Sequence, residues 1–477
     1  MLFNSFEYLL FLPVVFLIYW LMPSQRMRNV VLIIGSLFFY SFADIKLLFL
    51  LLAIGLWTYY FGRAITKLVM GGEPNKKKLA KIWCFFAVVI DVIVLAFFKY
   101  FNFFLTGFAN FLSFFGLQVD AITLNIILPL GLSFYVFMAI SYIIDCYRSK
   151  IDFKPSLIEF AAYFTFFPHL VAGPIDRGRL IIPQLQHYTI YKYEQGSDGL
   201  RQILWGLFKK AVVADTCAQV VDYVWAGMGS MSTLALIIAM VLYSAQIYCD
   251  FSGYSDMAIG TGKLFGIQMM RNFDYPYFSR NISEFWRKWH MSLTSWFTEY
   301  IYIPLGGSRI NKGRTIVNTV VVFTICGLWH GANLTFVFWG LINGLLFMPI
   351  LLQSKPNKYK GVPVDSKPLT LFKVMITFVL VTVCWVFFRA SSLNEAFSFI
   401  GQLVFSNEPF SKIPMLRWAV LFILFTLVIE WTQRNKEYAL ANMVTLKKPF
   451  RWMVYLGLIF VIIQFSQSDG SFIYQNF

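Results

Sequence analysis

Apolar runs recur along the chain from Phe6 to Phe465, and the positions between them are short and polar, rich in lysine, arginine, glycine and proline. About twenty apolar residues make one helical membrane crossing. The pattern therefore predicts an all-α polytopic membrane protein with about 11 to 13 crossings by that criterion. Two stretches break the regularity. Residues 82–116 are too long for one upright span, yet the charge pattern on either side allows a single crossing, so a long tilted or broken helix is expected, with an interfacial segment around "KYFNFF". Residues 250–314 are amphipathic and aromatic rather than uniformly apolar, which predicts short interfacial or re-entrant helices.

No polar block long enough for a soluble domain interrupts the series, so one integral-membrane domain over 1–477 is expected, with a catalytic core at about 120–350 and a C-terminal tail at 466–477. The first run, "FEYLLFLPVVFLIYWLMP", has no basic segment before it and no small-residue cleavage site after it; it reads as a retained span rather than a signal peptide. No internal repeat of 20 to 50 residues is evident, which weakens an inverted-repeat transporter reading.

Composition agrees with the pattern: 58% of residues are hydrophobic and 13% charged, against roughly 25% charged in soluble domains. The net charge of +16 would in principle attract nucleic acid, but the basic residues fall in clusters between apolar runs, which is the positive-inside signature of membrane topology. Arg26 and Arg28, then Arg63, Lys67, Lys76, Lys77, Lys78 and Lys81, then Arg148, Lys150 and Lys154, and later Arg201, Lys209 and Lys210 mark cytoplasmic segments, leaving both termini outside. The six cysteines are scattered and none forms a C-x-x-C pair, so neither a disulfide framework nor a thiolate metal site is indicated.

Candidate chemistry rests on the four histidines. His330 and His290 each follow a tryptophan, in "CGLWHGANLTF" and "FWRKWHMSLTSWF". A polar ring at membrane depth costs roughly 2 to 3 kcal/mol or more unless it finds partners or water, so an intramembrane histidine is by default a functional residue. Its imidazole suits general-base chemistry near neutral pH. Counting about 1.5 Å per residue from Arg314 puts His330 past the membrane midplane toward the outside, with His290 nearer the cytoplasm. The competing reading for each is a ring hydrogen-bonded to a neighbouring helix. His169 and His187 read as ordinary loop or interface residues.

In "YCDFSGYSDMAIGTGKLFG", Asp250 and Asp256 are six apart, a spacing that does not imply paired carboxylates; with Ser252 between them they read as residues that hold partners or line a polar cavity. Trp289, Trp329 and Asn333 flank the histidines and are candidate lining residues. "GTGK" fails the phosphate-loop pattern, and "NIS" and "NLT" match the glycosylation triplet by chance. With no G-x-S-x-G or H-E-x-x-H, base-assisted transfer between two bound substrates is the simplest chemistry. A transporter or flippase with His330 as proton relay is the alternative from another class.

The ordered motifs "MLFNSFEYLLFLPVVFLIYW", "LPLGLSFYVFMAISYIIDCYR", "FPHLVAGPI", "DFSGYSDMAIG", "FWRKWHMSLTSWFTEYIYIPLGGSR" and "GLWHGANLTFVFWG" resemble the membrane-bound O-acyltransferases, in the bacterial branch that serves alginate O-acetylation and lipoteichoic acid D-alanylation. The resemblance implies a multi-helix fold around a central tunnel, with His330 at the position of the principal active-site histidine and His290 at that of the second. It further implies transfer of an acetyl-type group from a cytoplasmic thioester to an extracytoplasmic polysaccharide across the bacterial plasma membrane. D-alanyl transfer to teichoic acid and peptidoglycan O-acetylation are the near alternatives. No bound cofactor is expected; the donor is a co-substrate, acetyl-CoA or an acyl-carrier protein, suited to a cationic cytoplasmic mouth. An extracytoplasmic partner resembling SGNH hydrolases is implied as well. The tail "FIYQNF" has two readings, an acyl relay through Tyr474 or an aromatic anchor at the outer interface.

Overall fold

The computed structural model describes residues 1–42, 45–117, 129–151, 154–352 and 366–466; Tyr474 and the rest of the tail lie outside them. By internal packing the chain divides into two compact units interleaved in sequence, residues 1–200 with 258–270, and residues 201–257 with 271–477. Helices build both, and no strand occurs among the described residues.

In the first unit, α1 (Phe6–Leu21) and α2 (Gln25–Ser41) start at Ser5 and Ser24, whose hydroxyls accept from the backbone amides of Tyr8 and Met27. These caps satisfy amides that the first helical turn leaves unpaired. Next come α3 (Ile45–Met70), α4 (Pro74–Phe114) and α5 (Leu132–Tyr147). The 41 residues of α4 form one unbroken helix, about 60 Å long at 1.5 Å per residue. "KYFNFF" therefore continues the helix instead of interrupting it, and a helix of that length must tilt or project beyond a hydrocarbon core of about 30 Å. Gly62 lets α3 meet α5, since a Cβ there would lie 2.5 Å from a ring carbon of Tyr142.

Short helices α6 (Leu157–Phe164), α7 (Phe167–Leu170) and α8 (Gly178–Gln186) follow. His169, on α7, is fully buried, contrary to its reading as an ordinary loop residue: Nε2 lies 2.9 Å from the Tyr163 carbonyl and Nδ1 lies 3.4 Å from Asp176 Oδ2. Arg28, read as the mark of a cytoplasmic segment, is also buried. Its guanidinium donates to the Thr189 carbonyl at 2.6 Å and the Tyr188 hydroxyl at 3.0 Å, with the Tyr188 ring 4.2 Å away. An arginine carries five donors in a fork, so buried carbonyls and an aromatic face can hold it as well as water does.

Helix α9 (Tyr193–Phe208) leads through a π-helical turn, Lys209–Ala214, into α10 (Asp215–Ala226) and the long α11 (Thr233–Leu264). The second unit continues through α12 (Ile282–Lys288) and α13 (Met291–Phe297), then the hairpin α14 (Lys312–His330) and α15 (Leu334–Leu346), and α16 (Met348–Leu352). It ends with α17 (Lys367–Arg389), α18 (Leu393–Phe405), α19 (Leu416–Thr432) and α20 (Lys448–Phe465). The short helices α12 and α13 are those predicted for the amphipathic stretch, but its first part, residues 250–264, continues the long α11 instead.

Among the described residues, six helices are long and apolar enough to cross a membrane: α3, α4, α11, α15 with α16, α17 and α20; α1 and α5 are shorter apolar helices. Other runs counted as crossings fall on helices that are shorter, as in α10 and α19, or begin with polar residues, as in α14.

The α14–α15 hairpin closes on glycine. A Cβ at Gly327 would lie 2.1 Å from the Phe336 carbonyl oxygen, and one at Gly340 would lie 2.3 Å from the Phe323 carbonyl oxygen. Backbone cannot move aside as a side chain can, so replacing Gly340 with valine should destabilise the protein by about 3 kcal/mol, the upper part of the range for overpacking. Thermal unfolding in detergent tests this, with Gly457→Ala, at an open position of α20, as a control expected to leave the transition unmoved.

Candidate active site

The second unit gathers both candidate histidines. His330 is the last residue of α14, and its buried ring packs against Trp329, Trp339 and Phe388 at centroid distances of 4.8, 5.2 and 5.1 Å. Gly331 makes this enclosure possible, because a Cβ there would fall 2.2 Å from the Phe336 ring. Trp339 stacks on Trp385 at 5.6 Å, and Trp385 lies 5.0 Å from Trp289.

His290 heads α13 in a left-handed conformation, φ 44° and ψ 54°. A non-glycine residue there is strained, and such residues persist where surrounding contacts over-determine them. Those contacts are the Phe251 ring at 4.6 Å, the Trp329 ring at 6.4 Å, and Asn272 Oδ1 at 2.9 Å from Nδ1. Burial lowers the pKa of His290 to about 3, so the imidazole is neutral at physiological pH. Although 40 residues separate the histidines in sequence, both pack on the Trp329 indole. Counting along the chain spread them toward opposite sides of the bilayer; tertiary packing brings them to one aromatic ring.

Asp250, Ser252 and Asp256 lie on α11, and their partners come from the π-helical turn. Lys210 Nζ is 2.7 Å from Asp250 and 2.8 Å from Asp215; Lys209 Nζ is 2.7 Å from Asp256 and 2.8 Å from Ser252 Oγ; Gln202 donates to Asp256 at 2.8 Å. Gly206 and Gly253 permit the approach, each placing its missing Cβ within 2.7 Å of the other's carbonyl oxygen. The aspartates are therefore not a carboxylate pair, since each faces its own ammonium group. Both lysines are buried: two adjacent cations enter the protein because carboxylates wait inside.

Asn333 is half-buried and caps α15, accepting from the Thr335 amide at 3.1 Å and donating to the Ser391 carbonyl at 2.6 Å. Asn281 caps α12 by accepting from the Glu284 amide at 2.9 Å. Both glycosylation-like triplets are thus helix starts, since a short side-chain oxygen followed by a hydroxyl or acidic residue suits a cap. Trp289 is buried against Phe273, Phe285 and Trp385.

Sequence reasoning missed Asn272 and Ser255, which touch the His290 constellation, as well as Trp339, Trp385 and Phe388. The rings lie in uniformly apolar runs where an aromatic reads as packing. Asn272 lies in an irregular connection with no periodicity to mark it.

A model of the membrane-bound O-acyltransferase family matches residues 133–393, more than half of the chain and inclusive of both histidines, and the chain belongs to that family. It is a multi-pass membrane acyltransferase, which decides between the enzyme and the flippase readings. The chain is 39% identical to the "Probable alginate O-acetylase AlgI" of Pseudomonas aeruginosa, over 83% of its own length and 73% of that protein's. It is 34% identical to the peptidoglycan O-acetyltransferase of Helicobacter pylori, over 83% and 78%. Against the teichoic acid D-alanyltransferase of Bacillus subtilis the identity is 27%, over 60% and 70%.

Proposed function

We propose that this enzyme takes an acetyl group from a cytoplasmic thioester and delivers it through a central tunnel for O-acetylation of an extracytoplasmic polysaccharide. In this reading His330 is the general base and His290 supports the donor thioester. His330 removes the acceptor hydroxyl proton as the new C–O bond forms at the acetyl carbonyl; the C–S bond breaks, and the proton passes to the departing thiolate. The observation that carries the reading is the pair of buried imidazoles on one indole, within an aromatic enclosure that keeps His290 neutral. The identity to alginate O-acetylases, higher and more extensive than to the D-alanyltransferase, supports acetyl over D-alanyl. The exposed basic residues Arg309 and Arg314, which precede or open α14, suit an anionic donor such as acetyl-CoA or an acyl-carrier protein. Both termini are extracytoplasmic in the bacterial plasma membrane, and a secreted partner resembling SGNH hydrolases completes transfer to the polymer.

Purified protein in proteoliposomes, supplied with radiolabelled acetyl-CoA, should release free thiol and deliver label to an acceptor on the opposite face. Transfer that requires an aminoacyl-loaded carrier protein and ignores acetyl-CoA would replace this reading by D-alanyl transfer.

A further inference from the structure

Asn272 is fully buried and holds the start of α13 at several points. Its backbone carbonyl accepts from the Met291 amide at 2.8 Å. Its side-chain Oδ1 faces His290 Nδ1 at 2.9 Å, the Ser292 hydroxyl at 2.9 Å and the Ser292 backbone amide at 3.4 Å, while Nδ2 donates to Ser255 Oγ on α11 at 3.0 Å. The Ser292 amide can only donate, so the atom it faces is the amide oxygen; turning the side chain over would set an NH₂ group against that N–H. An oxygen opposite His290 Nδ1 requires hydrogen on that nitrogen. In the neutral ring the lone pair then belongs to Nε2.

We propose that Asn272 is a positioning residue of the acyl-transfer reaction: it holds His290 in the tautomer with hydrogen on Nδ1, so that Nε2 is the nitrogen presented to the reacting groups. This rests on the reading of His290 as part of the active site. The same bonds account for the left-handed backbone at His290, because the Met291 and Ser292 amides that follow it are both tied to Asn272. Through Ser255 they also anchor the ring to α11, the helix that carries the lysine-bound aspartates.

The rings packed on His290 include Phe251 from α11 and Trp329 from α14, both uncharged, and His330 packs on the same Trp329 indole. A carboxylate introduced at 272 would therefore act on an imidazole whose pKa is otherwise lowered by burial alone. Asn272→Asp keeps the acceptor oxygen and the size. It stabilises the imidazolium, raises the His290 pKa, and so removes the neutral form as pH falls.

Acetyl transfer from acetyl-CoA should be followed against pH for the full-length wild type, Asn272→Asp, Asn272→Ala and His290→Ala, each checked by thermal unfolding. Asn272→Asp is expected to retain activity at high pH and to lose it at low pH, with the acid limb at least about one pH unit above that of wild type, as one nearby opposite charge typically shifts a pKa by about 1 to 3 units. Asn272→Ala should lower kcat by about 100-fold, with little change in KM, if ring orientation is what it supplies. If His290→Ala transfers acetyl at the wild-type rate, the catalytic reading of His290 fails and this proposal with it. If His290→Ala is inactive while the Asn272→Asp profile superimposes on wild type, the active-site reading stands and the positioning role is overturned. Should Asn272→Ala not fold, the isosteric aspartate variant alone decides.

Discussion

Replacing His330 with alanine is expected to reduce acetyl transfer by at least about 100-fold, because a positioned general base contributes about 10²- to 10⁴-fold to a proton-transfer step. His330 ends α14 packed between Trp329, Trp339 and Phe388. An imidazole kept in that enclosure points to chemistry. Alanine also leaves space among three large rings, so a parallel His330→Gln variant separates lost packing from lost basicity: it fills much of the volume and cannot accept a proton near neutral pH. Acetyl transfer by either variant at the wild-type rate, with normal unfolding temperature, would remove His330 from the reaction.

Lys210→Met is expected to be the most destabilising of the polar substitutions, by about 3 to 5 kcal/mol, the usual cost of removing one partner from a buried ion pair. Lys210 stands between Asp215 and Asp250, and both carboxylates are buried with it. Methionine matches the apolar stem but leaves two desolvated negative charges facing one position. Adding Asp250→Asn to Lys210→Met removes one of those charges and should recover part of the loss, a non-additivity measurable by thermal unfolding of the singles and the double in one detergent. Unfolding temperatures that agree within error between Lys210→Met and wild type would mean the cluster contributes nothing to the fold. Lys209 has a different set of partners, Asp256, Ser252 and the Tyr248 ring, whose hydroxyl in turn donates to Glu430.

Much of the helical architecture is legible along the chain. The spans at α3 and α17, the two arms of the α14–α15 hairpin, and the short helices of 282–297 appear where apolar periodicity and its loss put them, while α11 runs on to Leu264. The two histidines are legible as well, since a titratable ring beside tryptophan in an apolar run stands out by cost alone. The burial of charged residues is less legible. Arg28, Lys209 and Lys210 look like loop cations because a linear pattern records only that a cation adjoins a span, and each proves to be buried against acceptors supplied by distant segments. Asn281 and Asn333 look like modification triplets because the same short polar residues also start helices.

By itself the amino-acid order determined that this protein lives in a membrane, that helices build it, and that His290 and His330 are the residues to examine. Hydropathy and helical periodicity are properties of neighbouring residues, and a sequence displays them directly. Only the tertiary structure decided that the two imidazoles pack on one indole, that Asn272 Oδ1 lies opposite Nδ1 of one of them, and that glycines at 206 and 253 bring two lysines onto their aspartates. Those relations join residues well apart in sequence, and a hydrogen bond or ion pair acts only over the last few ångströms that folding closes.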